Sequence, residues 1–159
     1  MKKMTIKNQK GVAAIEFAIV LPLFVIIVFG IIEFSLVFYA KAVITNASRE
    51  GARLGISALD AAALDEDEAK IIEAIKDRIV NECLYNSEEP RFINLGAPPL
   101  TKAELRELIE VPPIVDDVIT VTIKDFPYNF LVFSYLLPGF ADDNKLNISA
   151  TTKMKDEPS

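Results

Sequence analysis

The chain has 159 residues, of which 51% are hydrophobic, with a formal net charge of −6, no histidine and a single cysteine. This length leaves room for one membrane helix and one outer domain of about 100 residues, which is a usual size for a single hydrophobic core. The acidic charge argues against nucleic acid and anionic lipid headgroups as partners. Without histidine, paired cysteines or a glycine-rich phosphate loop, the usual catalytic constellations cannot be assembled, so we expect no enzyme activity, cofactor or metal site.

The dominant feature is an apolar run from Val12 to Ala40. Between Glu16 and Glu33 it contains sixteen residues without a polar side chain, and these alone cover about 24 Å of helix. With its apolar flanks the run exceeds the ~30 Å hydrocarbon core of a bilayer, which predicts a transmembrane helix. Four lysines and no acidic residue precede the run. Because short basic flanks stay in the cytoplasm, we expect the chain from Lys41 onward to lie outside.

A simple anchor does not require Glu16. A carboxylate near lipid costs about 2.5 to 3.5 kcal/mol unless it lies at an interface or finds a partner. The run also starts abruptly, because the basic leader ends at Gly11 and the apolar helix begins at Val12. Both features predict a function for this end of the helix beyond anchoring.

The helix is expected to continue past the lipid to about Ile56, with Gly55 as its stop signal. Arg49 and Arg53 are four residues apart and therefore share a helical face. That face fits either a solvated surface or a docking surface for a partner.

Isoleucines at helical spacing predict a second helix from about Leu64 to Leu84, with acidic residues in its first turn. Cys83 is expected to be a small buried apolar residue. Residues 86–99 are predicted to form a loop, because prolines and a glycine interrupt them. A short helix is predicted from Lys102 to about Ile109, and Thr101 and Glu104 have the spacing of a capping box at its start.

Two segments alternate between apolar and polar residues, 118–124 and 146–154, and predict antiparallel strands packed on the isoleucine-rich helix. Residues 126–140 between them are rich in aromatic side chains but too few for a second membrane span. This stretch fits either core or an additional strand, or else an exposed patch that contacts the bilayer surface or another subunit. The predicted class is α+β: a long N-terminal transmembrane helix that continues outward, followed by a small extracytoplasmic domain with one or two helices on an antiparallel sheet.

The N-terminal segment resembles a known family. The leader ending in Gly11 and the sequence VAAIEFAIVLP from Val12 to Pro22 are similar to the start of a TadE-family pseudopilin from bacterial tight-adherence (Tad) pilus systems. The sequences FGIIEF at 29–34, Tyr-Ala at 39–40 and NASREGAR at 46–53 extend the resemblance. The closing residues 146–157 are similar to the family's ending, which is a weaker signal.

The resemblance implies a minor pseudopilin that acts in the assembly or structure of a Tad-type adhesion pilus. Its implied partners are a prepilin peptidase, other Tad pilins and pseudopilins, and the inner-membrane assembly platform. The peptidase is expected to cut after Gly11, which leaves Val12 as the first residue and changes the net charge to −10 by removing four lysines. Glu16, followed by Phe17, would then neutralise the Val12 ammonium of a neighbouring subunit, and Arg49 and Arg53 become candidate docking residues for the assembly machine. Losing one member of a buried ion pair costs about 3 to 5 kcal/mol.

These expectations divide the chain into a leader (1–11), a transmembrane and emerging helix (12–56) and an extracytoplasmic α+β domain (57–159). The predicted location is the bacterial inner membrane, with one span and a cytoplasmic N-terminus, or the pilus and its tip. Two other classes remain open: a single-pass membrane-anchored protein, and a periplasmic binding protein with a signal peptide cleaved near Ala40-Lys41-Ala42. The apolar run is longer than the ~7 to 15 residues of a signal peptide's hydrophobic region.

Overall fold

The computed structural model describes residues 9–61, 68–86, 89–90, 100–116, 118–130 and 145–155. Its helices are α1 (Gln9–Ala61), α2 (Glu68–Arg78), a π-helix (Ile79–Leu84) and α3 (Lys102–Glu107). Its strands are β1 (Tyr85–Asn86), β2 (Glu89–Pro90), β3 (Ile109–Glu110), β4 (Val118–Asn129) and β5 (Lys145–Lys155). β1 pairs with β2, and the other three form an antiparallel sheet in the order β3–β4–β5. The architecture is α+β, as predicted.

The long helix α1 has two environments. From Gly11 to Phe24 every residue is exposed, and Pro22 lies inside the helix without ending it. Farther out, Ala40, Ile44, Ala47 and Ala52 are buried in the core of the outer domain. The C-terminal half of α1 therefore contributes to the domain's core, whereas the residues from Gly11 to Phe24 are left uncovered by the rest of the described structure.

The prediction that Gly55 stops this helix is wrong, because α1 continues to Ala61. Gly55 is buried, and a Cβ atom placed there would lie 2.5 Å from Cδ1 of Ile119 and 2.9 Å from Cδ1 of Ile75. The absent side chain thus makes space for the sheet and for α2 to approach the helix. Gly55 serves packing, not helix termination.

The sheet packs mainly on α1, and the prediction that it packs on the isoleucine-rich helix is corrected accordingly. That helix, α2 with the π-helix, packs on α1 as well, and its Ile71, Ile75 and Ile79 are buried. Since α1 contributes small residues to these contacts, it can be approached closely by both layers. The long helix is thus the element around which the outer domain is assembled.

Strand β4 is longer than the predicted segment 118–124 because a β-bulge changes the phase of its side chains. Ile123 pairs with Ala150, but the next pair is Phe126 with Ile148, so two residues of β4 lie opposite one of β5. Asp125, at the bulge, has φ 48°, a left-handed conformation that aspartate tolerates better than most residues. Its N–H donates to Oγ of Ser149 at 3.0 Å.

The bulge returns the following aromatic side chains to the core side. Phe126 and Tyr128 are 0% and 2% exposed, and Phe130 is partly buried against the core. The interpretation as strand and core is confirmed for 126–129, and Phe130 packs against the same core. Residues 131–144, which contain the rest of the aromatic stretch, lie outside the described residues.

Other boundaries differ locally from the predictions. The second helix was predicted to begin at about Leu64, which lies among residues 62–67 outside the described residues. That helix changes from α to π geometry at Ile79. β1 and β2 pair at the start of the stretch 86–99 that was predicted as loop, and Tyr85 of β1 directly precedes that stretch. α3 ends at Glu107 because Ile109 pairs with Ile123 of β4. The capping box of Thr101 and Glu104 is confirmed, and Cys83 is half-buried.

The close contact at Gly51 provides a stability test. A Cβ atom there would lie 2.6 Å from Cδ1 and 2.8 Å from Cγ1 of Ile79. Overpacking costs about 1 to 3 kcal/mol and alanine's helix propensity offsets about 1. We therefore expect Gly51→Ala to lower the free energy of unfolding by up to about 2 kcal/mol, measured by urea unfolding in detergent.

The matched control is the double variant Gly51→Ala/Ile79→Val, which removes the Cδ1 methyl that alanine would meet. It should lose less stability than the sum of the two single variants. Simple additivity of the two losses would contradict the proposed contact.

Candidate functional site on the long helix

The residues predicted to direct processing and assembly lie on the exposed N-terminal part of α1. Gly11 and Val12 lie in the first turn of the helix. An added Cβ at Gly11 would meet no atom within 4 Å, so this peptide is open to solvent in the described structure. Val12 and Phe17 are 56% and 64% exposed.

Glu16 is also exposed, one helical turn beyond Val12. No part of the described outer domain covers the helix at this level, since all residues from Gly11 to Phe24 are exposed. Their apolar side chains therefore remain available to lipid or to the helices of other subunits. The structure brings Gly11, Val12, Glu16 and Phe17 together on the first two turns, as sequence spacing requires.

The second predicted pair, Arg49 and Arg53, lies on the outer part of α1, and both side chains are exposed. Arg53 donates to Glu50 through Nε at 3.1 Å and Nη2 at 3.0 Å. Arg78 of α2 also donates to Glu50, at 3.3 Å, and pairs with Glu82 of the π-helix. Arg49 makes no ion pair with the described residues. The two arginines thus have different surroundings, because only Arg53 belongs to a charge network.

This network borders an open groove of about 380 Å³ between α1 and the π-helix. The groove is lined by Tyr39, Val43 and Asn46 of α1 and by Cys83 of the π-helix, with Glu50 and Glu82 at the same surface. Both carboxylates are ion-paired to Arg78. The local charge is therefore balanced, and polar and apolar side chains line the groove together.

Contacts that sequence reasoning missed fix the sheet along α1. Ser48 and Thr152 share a hydrogen bond of 2.7 Å between their hydroxyls, and Lys41 Nζ donates to the carbonyl of Ser149.

Glu33, which the sequence marked only as the end of the polar-free run, is 2% exposed. Burial, and then the negative charge of Glu33, raise the pKa of Tyr128 to about 12. The position of Glu33 inside an apolar run was the one sign in the sequence that this carboxylate is buried. Its proximity to Tyr128 could not be predicted from the sequence.

The network at Glu50 predicts a pH dependence. Hydrogen bonding to Arg53, together with the hydrogen bond and charge of Arg78, lowers the pKa of Glu50. Because the folded chain then binds this proton less readily than the unfolded chain, the stabilisation is present above the ordinary carboxyl pKa and is lost as the pH falls through the lowered value.

We therefore expect Glu50→Gln to reduce the loss of stability on acidification below about pH 4.5, by no more than about 1 kcal/mol because the pairs are partly exposed. Urea unfolding at several pH values measures this. Glu107→Gln, at an exposed position on α3 outside this charge network, is the control, and Glu50→Gln should have the larger effect on the acid dependence. Equal effects of the two variants would contradict a special role for Glu50.

Comparison with known families bears on the N-terminal part of the chain. Residues 11–53 match a family model described as TadE-like protein. Comparisons with curated proteins and with solved structures give no match. The matched segment begins at Gly11 and includes Glu16, the apolar run and the exposed arginines, so it confirms the resemblance drawn from these residues. The match implies association with Tad pilus components, and the long apolar helix fits a single-pass membrane anchor. The chain therefore carries a TadE-like N-terminal segment.

Proposed function

We propose that this protein is a minor pseudopilin of a Tad-type adhesion pilus and is matured by a prepilin peptidase that cuts after Gly11. The observation that carries the proposal is the coincidence of three features at one end of α1. The TadE-like match begins at Gly11, the helix is uncovered from Gly11 to Phe24, and Glu16 is the only charged side chain between Val12 and Ile32.

Cleavage after Gly11 would convert the amide nitrogen of Val12 into an ammonium group at the start of the helix. A positive charge at a helix N-terminus is unfavourable because the helix dipole is positive there. A carboxylate that approaches it from a neighbouring subunit relieves this cost and also offsets the cost of keeping a glutamate near lipid. Glu16, exposed one turn from Val12, supplies such a carboxylate, and the pairing would set the axial register between subunits.

The partners in this proposal follow the two exposed regions of α1. The polar-free run contacts lipid in the inner membrane and, on assembly, other Tad pilins and pseudopilins. Arg49 and Arg53, above the span, are candidate docking residues for the inner-membrane assembly platform. The leader would lie in the cytoplasm and the outer domain outside, either at the membrane or in the pilus. The role is structural and not catalytic, in keeping with a sequence that has no histidine.

The burial of Ala40 argues against a cleaved signal peptide. The candidate cleavage site at 40–42 lies inside α1, and Ala40 is 1% exposed within the core of the outer domain. Leu36 and Val37 also pack against this core. Cleavage there would remove core side chains and divide the helix on which the sheet is packed, so a mature protein starting near Lys41 is disfavoured.

Replacing Gly11 tests the processing step. Gly11→Leu should leave the leader attached, because a side chain at the cut would crowd the approach of the protease to the backbone. Intact-protein mass spectrometry of membranes containing an active prepilin peptidase should then show the full-length mass. Val12→Ala leaves Gly11 in place and should still be cleaved. A wild-type chain that retains residues 1–11 beside an active peptidase would overturn the processing proposal.

Replacing Glu16 tests the pairing step separately. Glu16→Ala should be cleaved normally but assemble poorly, since an unpaired buried ammonium costs about 3 to 5 kcal/mol. Glu16→Asp keeps the charge and should retain part of the assembly. The measurement is the amount of this protein recovered with sheared pili or with co-purified pilins, compared with its amount in the membrane. Normal assembly of Glu16→Ala would rule out the pairing.

A further inference from the structure

We propose that the outer domain also touches the lipid, through the end of its sheet nearest the membrane. We call this end the sheet tip and define it as Asn129, Phe130, Lys145 and Leu146. The inference rests on α1 crossing the bilayer, as in the proposed function, but it concerns a surface far from Gly11 and Glu16.

Two hydrogen bonds and one electrostatic interaction show that β5 runs along α1 toward the membrane. Ser48 contacts Thr152, and Lys41 contacts Ser149. Glu33 lies near Tyr128, which is paired with Leu146. Positions on α1 that are closer to the membrane therefore contact positions on β5 that have lower residue numbers. The Lys145 end of β5 is thus the end nearest the membrane.

The spacings show that the strand is only slightly inclined to the helix. From Ser48 to Lys41 the helix descends about 10 Å, and the strand from Thr152 to Ser149 also covers about 10 Å. From Lys41 to Glu33 the helix descends about 12 Å, and the strand from Ser149 to Leu146 covers about 10 Å. Leu146 is thus almost level with Glu33, which ends the polar-free run.

The sheet tip extends beyond this level. Phe130 is two residues past Tyr128, a distance of about 7 Å along a strand, or between one and two turns of α1. The helix from Gly11 to Ile32 is about 33 Å long, close to the ~30 Å hydrocarbon thickness of a bilayer. With α1 in a membrane, the sheet tip therefore reaches the outer headgroup layer and the edge of the hydrocarbon.

The side chains at this level suit that position. Leu146 is 37% exposed, although Ile148 and Ala150 on the same face of β5 are only 7% and 4% exposed. Phe34 and Phe38 of α1, in the two turns above the polar-free run, are 50% and 71% exposed. Exposed apolar groups beside a membrane span are expected to be covered by lipid. Lys145 is exposed and can extend its ammonium toward water while its stem stays in the interface.

Lipid is the occupant that the geometry favours over another subunit, because the bilayer surface lies at this level around the whole helix. Because the chain is acidic overall, anionic headgroups should not attract it, and the contact should therefore be apolar. Zwitterionic phosphatidylcholine vesicles are therefore the appropriate probe, and added salt should have little effect.

The test is fluorescence quenching of the full-length chain in such vesicles. Cys83 is the only cysteine, so Cys83→Ala gives a background for single-cysteine variants that carry a thiol-reactive fluorophore. Leu146→Cys and Lys145→Cys report on the sheet tip. Lys155→Cys, about 30 Å away along β5, is the matched control on the same strand. Ile27→Cys, in the polar-free run, reports on the span itself.

Lipids that carry a nitroxide on the headgroup should remove most of the fluorescence at 145 and 146 and little at 155. Lipids with a nitroxide in the middle of the acyl chain should quench the label at 27. The result that overturns the inference is an unquenched label at both 145 and 146 while 27 is quenched, and this would leave the anchor intact. No quenching at 27 would overturn the anchor as well.

Protection of 145 and 146 from both the lipid nitroxide and aqueous iodide would assign the sheet tip to a protein contact and overturn the lipid proposal. Variants are compared only if their thermal unfolding, followed by circular dichroism, matches that of Cys83→Ala. Lys145→Cys alters an exposed side chain and so keeps the test valid even if Leu146→Cys disturbs packing.

Discussion

Close packing against small residues of α1 joins the long apolar run of this chain to the α+β domain that follows it. Ala40, Ala47, Gly51 and Gly55 let the sheet and the isoleucine-rich helix approach the long helix, and the core forms around them. A single large side chain along this stripe would separate the two layers that the helix supports, because protein cores tolerate little extra volume. The C-terminal half of α1 is therefore part of the domain's core and not a linker.

The parts of the fold that were predictable from the sequence are those determined by neighbouring residues. Alternation predicted β4 and β5, helical spacing predicted α2, and a capping box predicted the start of α3. The errors occurred where a distant contact decides. Gly55 has the residue type of a helix stop, but α1 continues past it, and the absent side chain leaves room for Ile75 and Ile119. The bulge at Asp125 changes the side-chain phase of β4, so a strict alternation predicts an end at a point where the strand continues.

The candidate site follows the same division. Gly11, Val12 and Glu16 are recognisable in the sequence because their spacing along one helix is fixed locally, and the family match begins at the first of them. Arg53 pairs with Glu50 within the same helix, but the extension of this pair into a network depends on Arg78, which comes from another helix. The burial of Glu33 likewise depends on the outer domain folding back to the end of the polar-free run. Contacts between residues that are distant in the sequence are a property of the tertiary fold, and they leave no recognisable pattern in the neighbouring residues of the chain.

The continuity of α1 has a geometric consequence for any assembly that this chain joins. Successive residues of an α-helix are rotated by about 100° about its axis. Because α1 is continuous, the angular position of Glu16 about this axis determines the direction in which the outer domain faces. If two subunits pair through the N-terminal ends of their helices, that pairing also fixes the relative orientation of their outer domains. Adding one residue to the polar-free run would rotate the whole domain relative to Glu16 by more than a quarter of a circle. Adding seven residues would nearly restore the original orientation.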